Sequence, residues 1–312
     1  MRILITGGAG FIGSHLAEHF HQRAAVRVLD NLRTGQRRNL AGLNVEFVQG
    51  SILDREVLRA AMQEVDHVFH LAAMVSVVES VRQPGACVEL NAIGTLNVLE
   101  AAAAAGVKKL CFSSSAAVYG DNPVVPKRED MVPEPRSPYA VTKLDGEFYC
   151  RQFTEAGRLE TVALRFFNVF GPRQDPAGSY GAVVPIFFQR ALAGKPLTIH
   201  GDGGQTRDFI YVKDIVAALD FVASKPGLTG VFNAGYGRQL TVLDLARRIL
   251  EIASSQSQIQ FEPERIGDVR HSQASIERLS DAGFHPEGAL DLGLQHMLSA
   301  FQRPPMPSST SL

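Results

Sequence analysis

The sequence predicts an α/β fold, a doubly wound parallel sheet with a smaller α/β lobe attached, and three observations carry that expectation. Residues 1–165 alternate short β-branched apolar runs with Ala-rich or amphipathic stretches of helical length. A glycine-rich turn, Gly7-Gly8-Ala9-Gly10-Phe11-Ile12-Gly13, follows the first of those runs directly. Beyond Arg165 the rhythm breaks, and glycine and proline recur in Gly171-Pro172, Asp175-Pro176-Ala177-Gly178, Gly194-Lys195-Pro196 and Gly201-Asp202-Gly203-Gly204.

In chain order the expected strands are Arg2–Thr6, Ala25–Leu29, Val45–Gln49, His67–His70, Lys109–Ser113 and Thr161–Arg165. Between the fourth and fifth, Cys87–Ala105 reads as a helix, because its Ala101–Ala105 run has high helix propensity and Gly106 suits a C-cap. Phe209–Val212 followed by Asp214–Ala223 reads as a strand and helix returning to the sheet. The expected organisation is a Rossmann domain over 1–167 with 208–236 returning to it, a ligand-binding lobe from 168–207 and 237–303, and a disordered tail at 304–312 rich in Pro and Ser.

Composition excludes several classes. The chain has 312 residues, 45% of them hydrophobic, enough for a sizeable core. A net charge of -1 leaves no broad basic surface for a phosphate backbone, so nucleic acid is not an expected partner. The three apolar residues before the first glycine are too few for a signal-peptide core or a membrane span, and the expectation is a soluble, cytoplasmic protein with no membrane partner. Cys87, Cys111 and Cys150 are widely spaced and read as buried free thiols. No metal site is expected: His70 and His271 lack second ligands at suitable spacing.

The glycine turn has a specific chemical use. Glycine lets the backbone approach a pyrophosphate closely, and the free N–H groups and dipole of the following helix favour the anion. Gly7, Gly10, Phe11, Ile12 and Gly13 are therefore candidate dinucleotide-binding residues. Asp30 ends the second strand, where a carboxylate accepts from both ribose hydroxyls of an adenosine and repels a 2′-phosphate, which favours NAD over NADP. Arg33 nearby is the opposing signal, since an arginine there can pair with a 2′-phosphate.

Tyr139-Ala140-Val141-Thr142-Lys143 follows Pro138 at a helix start, and the four-residue spacing places phenol and ammonium on one face. Two unit charges about 5 Å apart at an effective dielectric of about 20 interact by roughly 3 kcal/mol, enough to lower a phenol pKa by about two units. On this arithmetic Tyr139 approaches neutrality and becomes a general base. Ser113-Ser114-Ser115 sits at the carboxyl end of the fifth strand, where open α/β sheets bind ligands.

Together these motifs resemble the extended short-chain dehydrogenase/reductase family. Thr6–Gly13, His70-Leu71-Ala72-Ala73, Ser113–Gly120, Tyr139–Lys143, Asn168 and Arg207-Asp208-Phe209-Ile210-Tyr211-Val212 match it in order, up to about Phe301. Within it the chain looks most like the UDP-hexose and UDP-N-acetylhexosamine 4-epimerases. The resemblance implies that Tyr139 takes the proton of the sugar 4-OH while hydride passes to NAD. Ser115 hydrogen-bonds the resulting 4-keto oxygen, Lys143 holds the nicotinamide ribose, and the rotated keto sugar takes hydride back on its other face. It further implies NAD contacts at Asn31, Ile52, Leu71, Ala72, Ala73 and Asn91.

For the substrate, the resemblance implies diphosphate contacts at Asn168, Arg207 and Arg265 and a uridine-ribose contact at Asp268; guanidinium forks suit phosphate geometry. Ser272 aligns with the wall of the sugar pocket, where a tyrosine restricts members to plain hexoses. Serine implies room for a 2-acetamido group, and Ser76 and Val183 also resemble the N-acetyl-accepting members. Members that dehydrate or decarboxylate carry acids just before Val-Tyr-Gly; here Ala116-Ala117 precede Val118-Tyr119-Gly120, which leaves elimination without its proton carrier. Three departures stand out: Ser51 replaces an adenine-contacting aspartate, Val75 a lysine and Ala117 a threonine. A homodimer joined by a four-helix bundle from Cys87–Ala105 and Tyr139–Ala156 is implied. The competing readings are a UDP-glucuronate 4-epimerase, a dehydrogenase that releases its product, and a catalytically silent NAD-binding sensor or scaffold.

Overall fold

A computed structural model describes residues 1–176, 182–264, 269–288 and 290–302. Arg265, Asp268 and the tail 304–312 lie outside these residues.

The elements run β1 (Arg2–Thr6), α1 (Phe11–Phe20), β2 (Ala25–Asp30), β3 (Val45–Gln49), α2 (Arg55–Ala61), β4 (His67–His70), α3 (Val77–Arg82), α4 (Pro84–Val88), α5 (Gly94–Ala104), β5 (Lys109–Ser115), α6 (Pro138–Glu155) and β6 (Glu160–Phe166). There follow β7 (Asn168–Phe170), α7 (Val183–Leu192), β8 (Leu197–His200), β9 (Thr206–Arg207), β10 (Phe209–Tyr211), α8 (Val212–Ser224) and β11 (Gly230–Ala234). After these come β12 (Leu240–Thr241), α9 (Val242–Ile252), β13 (Ile259–Glu262), α10 (Glu277–Asp281) and α11 (Leu290–Gln302).

Seven parallel strands form the main sheet in the order β11-β6-β5-β4-β1-β2-β3. Consecutive strands step outward from β1 to β3, and the chain then returns to β4 on the other side of β1. The crevice lies at that reversal, outside the carboxyl ends of β1 and β4. Strands buried on both faces read as continuous apolar runs, which is why Ile3, Leu4 and Ile5 are wholly buried. Two cores result: α1 and α8 cover one face with Leu16, Phe20, Ile215 and Leu219, and α2, α5 and α6 cover the other with Leu58, Val98, Leu99 and Phe153.

Two expectations are corrected. The strand at Phe209–Tyr211 pairs with β7 outside the main sheet, and the strand that joins it is β11, beside β6. Pairing at Tyr211↔Phe170 makes a short bridge beneath a separate core of Phe187, Phe188, Leu245 and Ile249. The expected Cys87–Ala105 helix begins three residues earlier, at Pro84, and a π turn over Glu89–Ile93 joins α4 to α5. Proline at the helix start signals the earlier boundary. Gly106 takes a positive φ of 72° after α5. All three cysteines are free and buried. Among the described residues no helix is long and apolar enough to cross a membrane.

Candidate active site

At the crevice lies a cavity of about 560 Å³. Its floor is the β1–α1 turn. Gly10 caps α1 with no side-chain hydrogen bond, so the first-turn amides of Phe11, Ile12 and Gly13 are left for a ligand. Gly7 has φ 72°, and a Cβ there would stand 2.7 Å from the Ala72 amide nitrogen; one on Gly13 would collide with the Gly7 carbonyl. Close approach of β1, α1 and the β4 end thus requires hydrogen at both positions.

Asp30 is 7% exposed and fixed by two amides: Ala9 N–H donates to Oδ2 at 2.9 Å and Leu32 N–H to Oδ1 at 2.8 Å. Arg33, the residue that could favour a 2′-phosphate, is ion-paired with Glu79 of α3 instead. These features fit a dinucleotide with two free ribose hydroxyls. Asn31, Ser51, Ile52, Leu71, Ala72, Ala73 and Ser76 also line the cavity. The Ser51 hydroxyl, standing where relatives carry an acid, accepts from Leu53 N–H at 3.2 Å. Ser76 Oγ caps α3 by accepting from Glu79 N–H.

Opposite the glycine turn, β5 and α6 supply the reactive groups. Ser137 caps α6, Pro138 opens it, and Tyr139 N–H donates to Ser80 Oγ at 3.2 Å, which docks this end against α3. Ser115, Tyr139 and Lys143 all line the cavity. The Ser115 hydroxyl stands near enough to the Tyr139 phenol to act on its pKa, and Ser115 Oγ accepts from Ala117 N–H.

The expected lowering of the phenol pKa by Lys143 is corrected. Burial pushes the Tyr139 phenol up, and the nearby Ser115 hydroxyl offsets this only in part. Lys143 Nζ donates 2.7 Å to the Ser113 carbonyl and lies 5.8 Å from the Tyr139 ring centre, directed along the strand end. Desolvation also brings Lys143 down to about 8. The protein alone therefore does not make the phenol basic.

Of the predicted site residues, Asn91, Asn168, Val183, Arg207 and Ser272 do not line this cavity. Asn91 is buried and occupied: it accepts from Met74 N–H at 2.7 Å and donates to Met74 O and Thr142 Oγ1, so it shapes the wall from behind. Asn168 is exposed at the start of β7, and Val183 opens α7 beside Ala182, which reaches the cavity. Arg207 donates to the Thr206 carbonyl at 2.8 Å, and Ser272 N–H donates to the same oxygen at 3.1 Å. His70 is a core imidazole between Thr6 and Thr95 hydroxyls, held neutral by burial with a pKa of about 3. Among the described residues no group of three or more His, Cys, Asp or Glu is placed to hold a metal ion.

Sequence reasoning missed Asp208. Its carboxylate is wholly buried and accepts from the amides of Tyr236, Gly237 and Ala274 at 2.7–2.9 Å. Desolvation raises it to about 6 against those three bonds. It thereby ties β9–β10 to the 269–276 segment that carries Ser272. An acid set between Arg207 and an apolar strand is the signal that marks it.

Comparison with known proteins converges on one family. The model of the NAD dependent epimerase/dehydratase family matches residues 3–235. A UDP-N-acetylglucosamine 4-epimerase from Methanobrevibacter ruminantium, solved with UDP-N-acetylmuramic acid, superposes with TM-score 0.93 at 38% identity, over 96% of this chain and 97% of that one. The Thermotoga maritima UDP-glucose 4-epimerase, solved with UDP-glucose, gives 0.92 at 40% over 96% and 98%. The Thermus thermophilus UDP-glucose 4-epimerase, solved with NAD, gives 0.89 at 39% over 96% and 99%. Sequence, sheet order and the glycine-turn cavity agree with these comparisons, and the chain belongs to the NAD dependent epimerase/dehydratase family.

Proposed function

We propose that this chain inverts C4 of UDP-sugars with NAD as a resident cofactor, accepting the UDP-GlcNAc/UDP-GalNAc pair as well as UDP-Glc/UDP-Gal. The carrying observation is that Ser115, Tyr139 and Lys143 meet on the wall of a dinucleotide cavity, with no proton carrier at Ala116 or Ala117. The likeness to epimerases solved with UDP-glucose, a UDP-N-acetyl sugar and NAD supports the same reading.

Gly7, Gly10, Phe11, Ile12, Gly13 and Asp30 hold the cofactor's pyrophosphate and adenosine, and Lys143 its nicotinamide ribose. Bound NAD supplies a hydride acceptor and donor and a positive charge beside the phenol. Tyr139 takes the proton from the sugar 4-OH, relayed by Ser115, as the C4 hydride leaves. The 4-keto sugar turns over in the pocket, and Tyr139 returns the proton when hydride re-adds to the opposite face. Burial raises the Tyr139 phenol, and the positive charge of bound NAD would favour its phenolate.

In this reading the segments 168–207 and 237–303 would make the nucleotide-sugar lobe, with Asn168, Arg207, Arg265 and Asp268 as nucleotide contacts and Ser272 leaving space for an acetamido group. A UDP-glucuronate 4-epimerase is the second reading. Against it, the cations lining the cavity among the described residues are engaged: Arg33 with Glu79, Arg173 with Glu18, and Lys143 with Ser113 O. A homodimer is part of the proposal, because Val88 and Ile93 on one helix and Val141 and Phe148 on α6 are exposed apolar side chains. Val141 and Phe148 are about two turns apart and share a face.

The test is incubation with UDP-Glc, UDP-GlcNAc and UDP-GlcA separately, with C4 inversion followed by proton NMR. Inversion of the first two supports the proposal. Inversion of UDP-GlcA alone establishes the second reading, NADH accumulation indicates a dehydrogenase, and no turnover leaves a silent NAD binder.

A further inference from the structure

Tyr139, Lys143 and Glu147 recur at every fourth position of α6 and so share one face. That face meets the three consecutive serines ending β5. Tyr139 lies near the Ser115 hydroxyl, Lys143 Nζ donates to the Ser113 carbonyl, and Ser114 Oγ donates to Glu147 Oε1. The third contact is the deepest. Glu147 is 5% exposed, and Arg165 of β6, 4% exposed, grips it through Nε–Oε1 at 2.8 Å and a terminal nitrogen to Oε2 at 2.7 Å.

Arg165 is itself held in place. Its guanidinium carbon lies 4.7 Å from the Tyr119 ring centre, and Tyr119 O–H donates to Asn233 Oδ1 at 2.6 Å. Asn233 Nδ2 in turn donates to the carbonyls of Lys127 and Ser275. Although desolvation opposes it, the hydrogen bonds and charge of Glu147 keep the Arg165 pKa raised. The pair is therefore a bidentate bridge beneath the reactive face.

A buried ion pair is weak evidence of stabilisation, because desolvation cancels much of its attraction. Its value lies in geometry: a bidentate fork admits one arrangement, and here it joins α6, β5 and β6. We propose that Glu147, gripped by Arg165, is a positioning residue for the epimerase centre, fixing the register of α6 against the serine end of β5 and setting the charge around Lys143. The proposal rests on the roles given above to Tyr139 and Lys143. The groups facing Lys143 are Cys87 from α4, Cys150, Glu147 and Tyr139 from its own helix, and His70 from β4. The Cys87 and Cys150 thiols are pushed up by burial, which leaves Glu147 as the group that holds the ammonium up against desolvation. Glu147 is the carboxylate of the set.

The experiment measures kcat and KM for UDP-glucose across pH in wild type, Glu147→Gln and Ser114→Ala, with Tyr139→Phe as the inactive reference. In parallel, NMR of labelled lysine, assigned through Lys143→Arg, follows the Lys143 amine. Glu147→Gln is expected to lower kcat about 10- to 100-fold through misplacement, with KM nearly unchanged. It also moves the alkaline limb and the Lys143 titration about one unit toward acid, since the neutral amide no longer supports the ammonium. Ser114→Ala is expected to lower kcat without moving either titration.

If Glu147→Gln does not fold because Arg165 is left buried without its counter-charge, the paired Glu147→Leu/Arg165→Met chain removes both charges, and the same loss of kcat is expected from it with a smaller shift of the Lys143 titration, because the cation leaves with the carboxylate. Wild-type kcat and limb in the variants, or a loss no larger than the unfolded fraction, overturns the proposal. If wild type turns over no UDP-sugar, the proposed activity fails separately, and an unmoved Lys143 amine in Glu147→Gln still overturns this inference.

Discussion

The two ends of the crevice are built from different materials. At the dinucleotide end the binding groups are main-chain amides of one contiguous turn, held by glycines whose hydrogens touch backbone. Toward the proposed sugar end they are side chains from β7, β9 and the 269–276 segment, which Asp208 joins through its main-chain carbonyl to Asn168 and its buried carboxylate to Ala274. A site made of backbone is specified locally and resists retuning. A site made of side chains on separate segments can change its ligand by single substitutions while the framework stays fixed.

Substitutions that separate chemistry from binding break this comparison most sharply. Tyr139→Phe is expected to lower kcat by about 10³-fold while NAD remains bound, because it removes only proton transfer; rate assays with cofactor quantified by absorbance check both halves. Gly13→Ala places a methyl against the Gly7 carbonyl and is expected to weaken NAD about 10- to 100-fold, the overpacking cost expressed as affinity, measured by calorimetry. Ser272→Tyr should reduce UDP-GlcNAc turnover about 10- to 100-fold and spare UDP-glucose. Equal loss on both substrates would place Ser272 outside the sugar pocket.

The halves should also respond oppositely to acid, the smallest of these effects. His70 and His15 are held neutral by burial, with pKa values near 3 and 4, whereas an unfolded imidazole takes its proton near 6.5. Their contribution is complete above pH about 6.5 and is lost as pH falls toward 4. Asp208 runs the other way: raised to about 6, it relieves its desolvation by taking a proton as pH falls from about 6 to 4. Urea midpoints against pH should therefore fall on acidification in wild type, fall less in His70→Gln, and fall more steeply in Asp208→Asn. Identical slopes would remove these groups from the account.

Legibility in the sequence followed the same division. The strands β1, β3 and β4 matched residue for residue: β1 and β4 are short apolar runs buried on both faces, and the edge strand β3 is a short run rich in Val and Phe. The glycine turn and Asp30 were readable for the same local reason. Strand β11 was not, since Gly230–Ala234 is a short run holding a glycine and an asparagine and takes its place beside β6 through pairing remote in sequence. Asn91 was legible as important but not as a residue facing away from the cavity, which depends on how α4 and α5 join. The phenol pKa was misjudged because spacing gives the distance between charges and says nothing of desolvation. Asp208 and Glu147 escaped notice because an acid in a sequence looks solvated until the fold closes over it.

The π turn at Glu89–Ile93 gives one covalent helix two phases. Before it, Cys87 faces Thr142 on α6; beyond it, Val98, Leu99 and Ala102 face the sheet. With one extra residue in that turn the half behind the reactive face and the half in the core keep separate registers. Drift in the length or sequence of one half is thus insulated from the other, and a lineage can remodel the wall behind Met74 without re-phasing the packing that keeps the sheet folded.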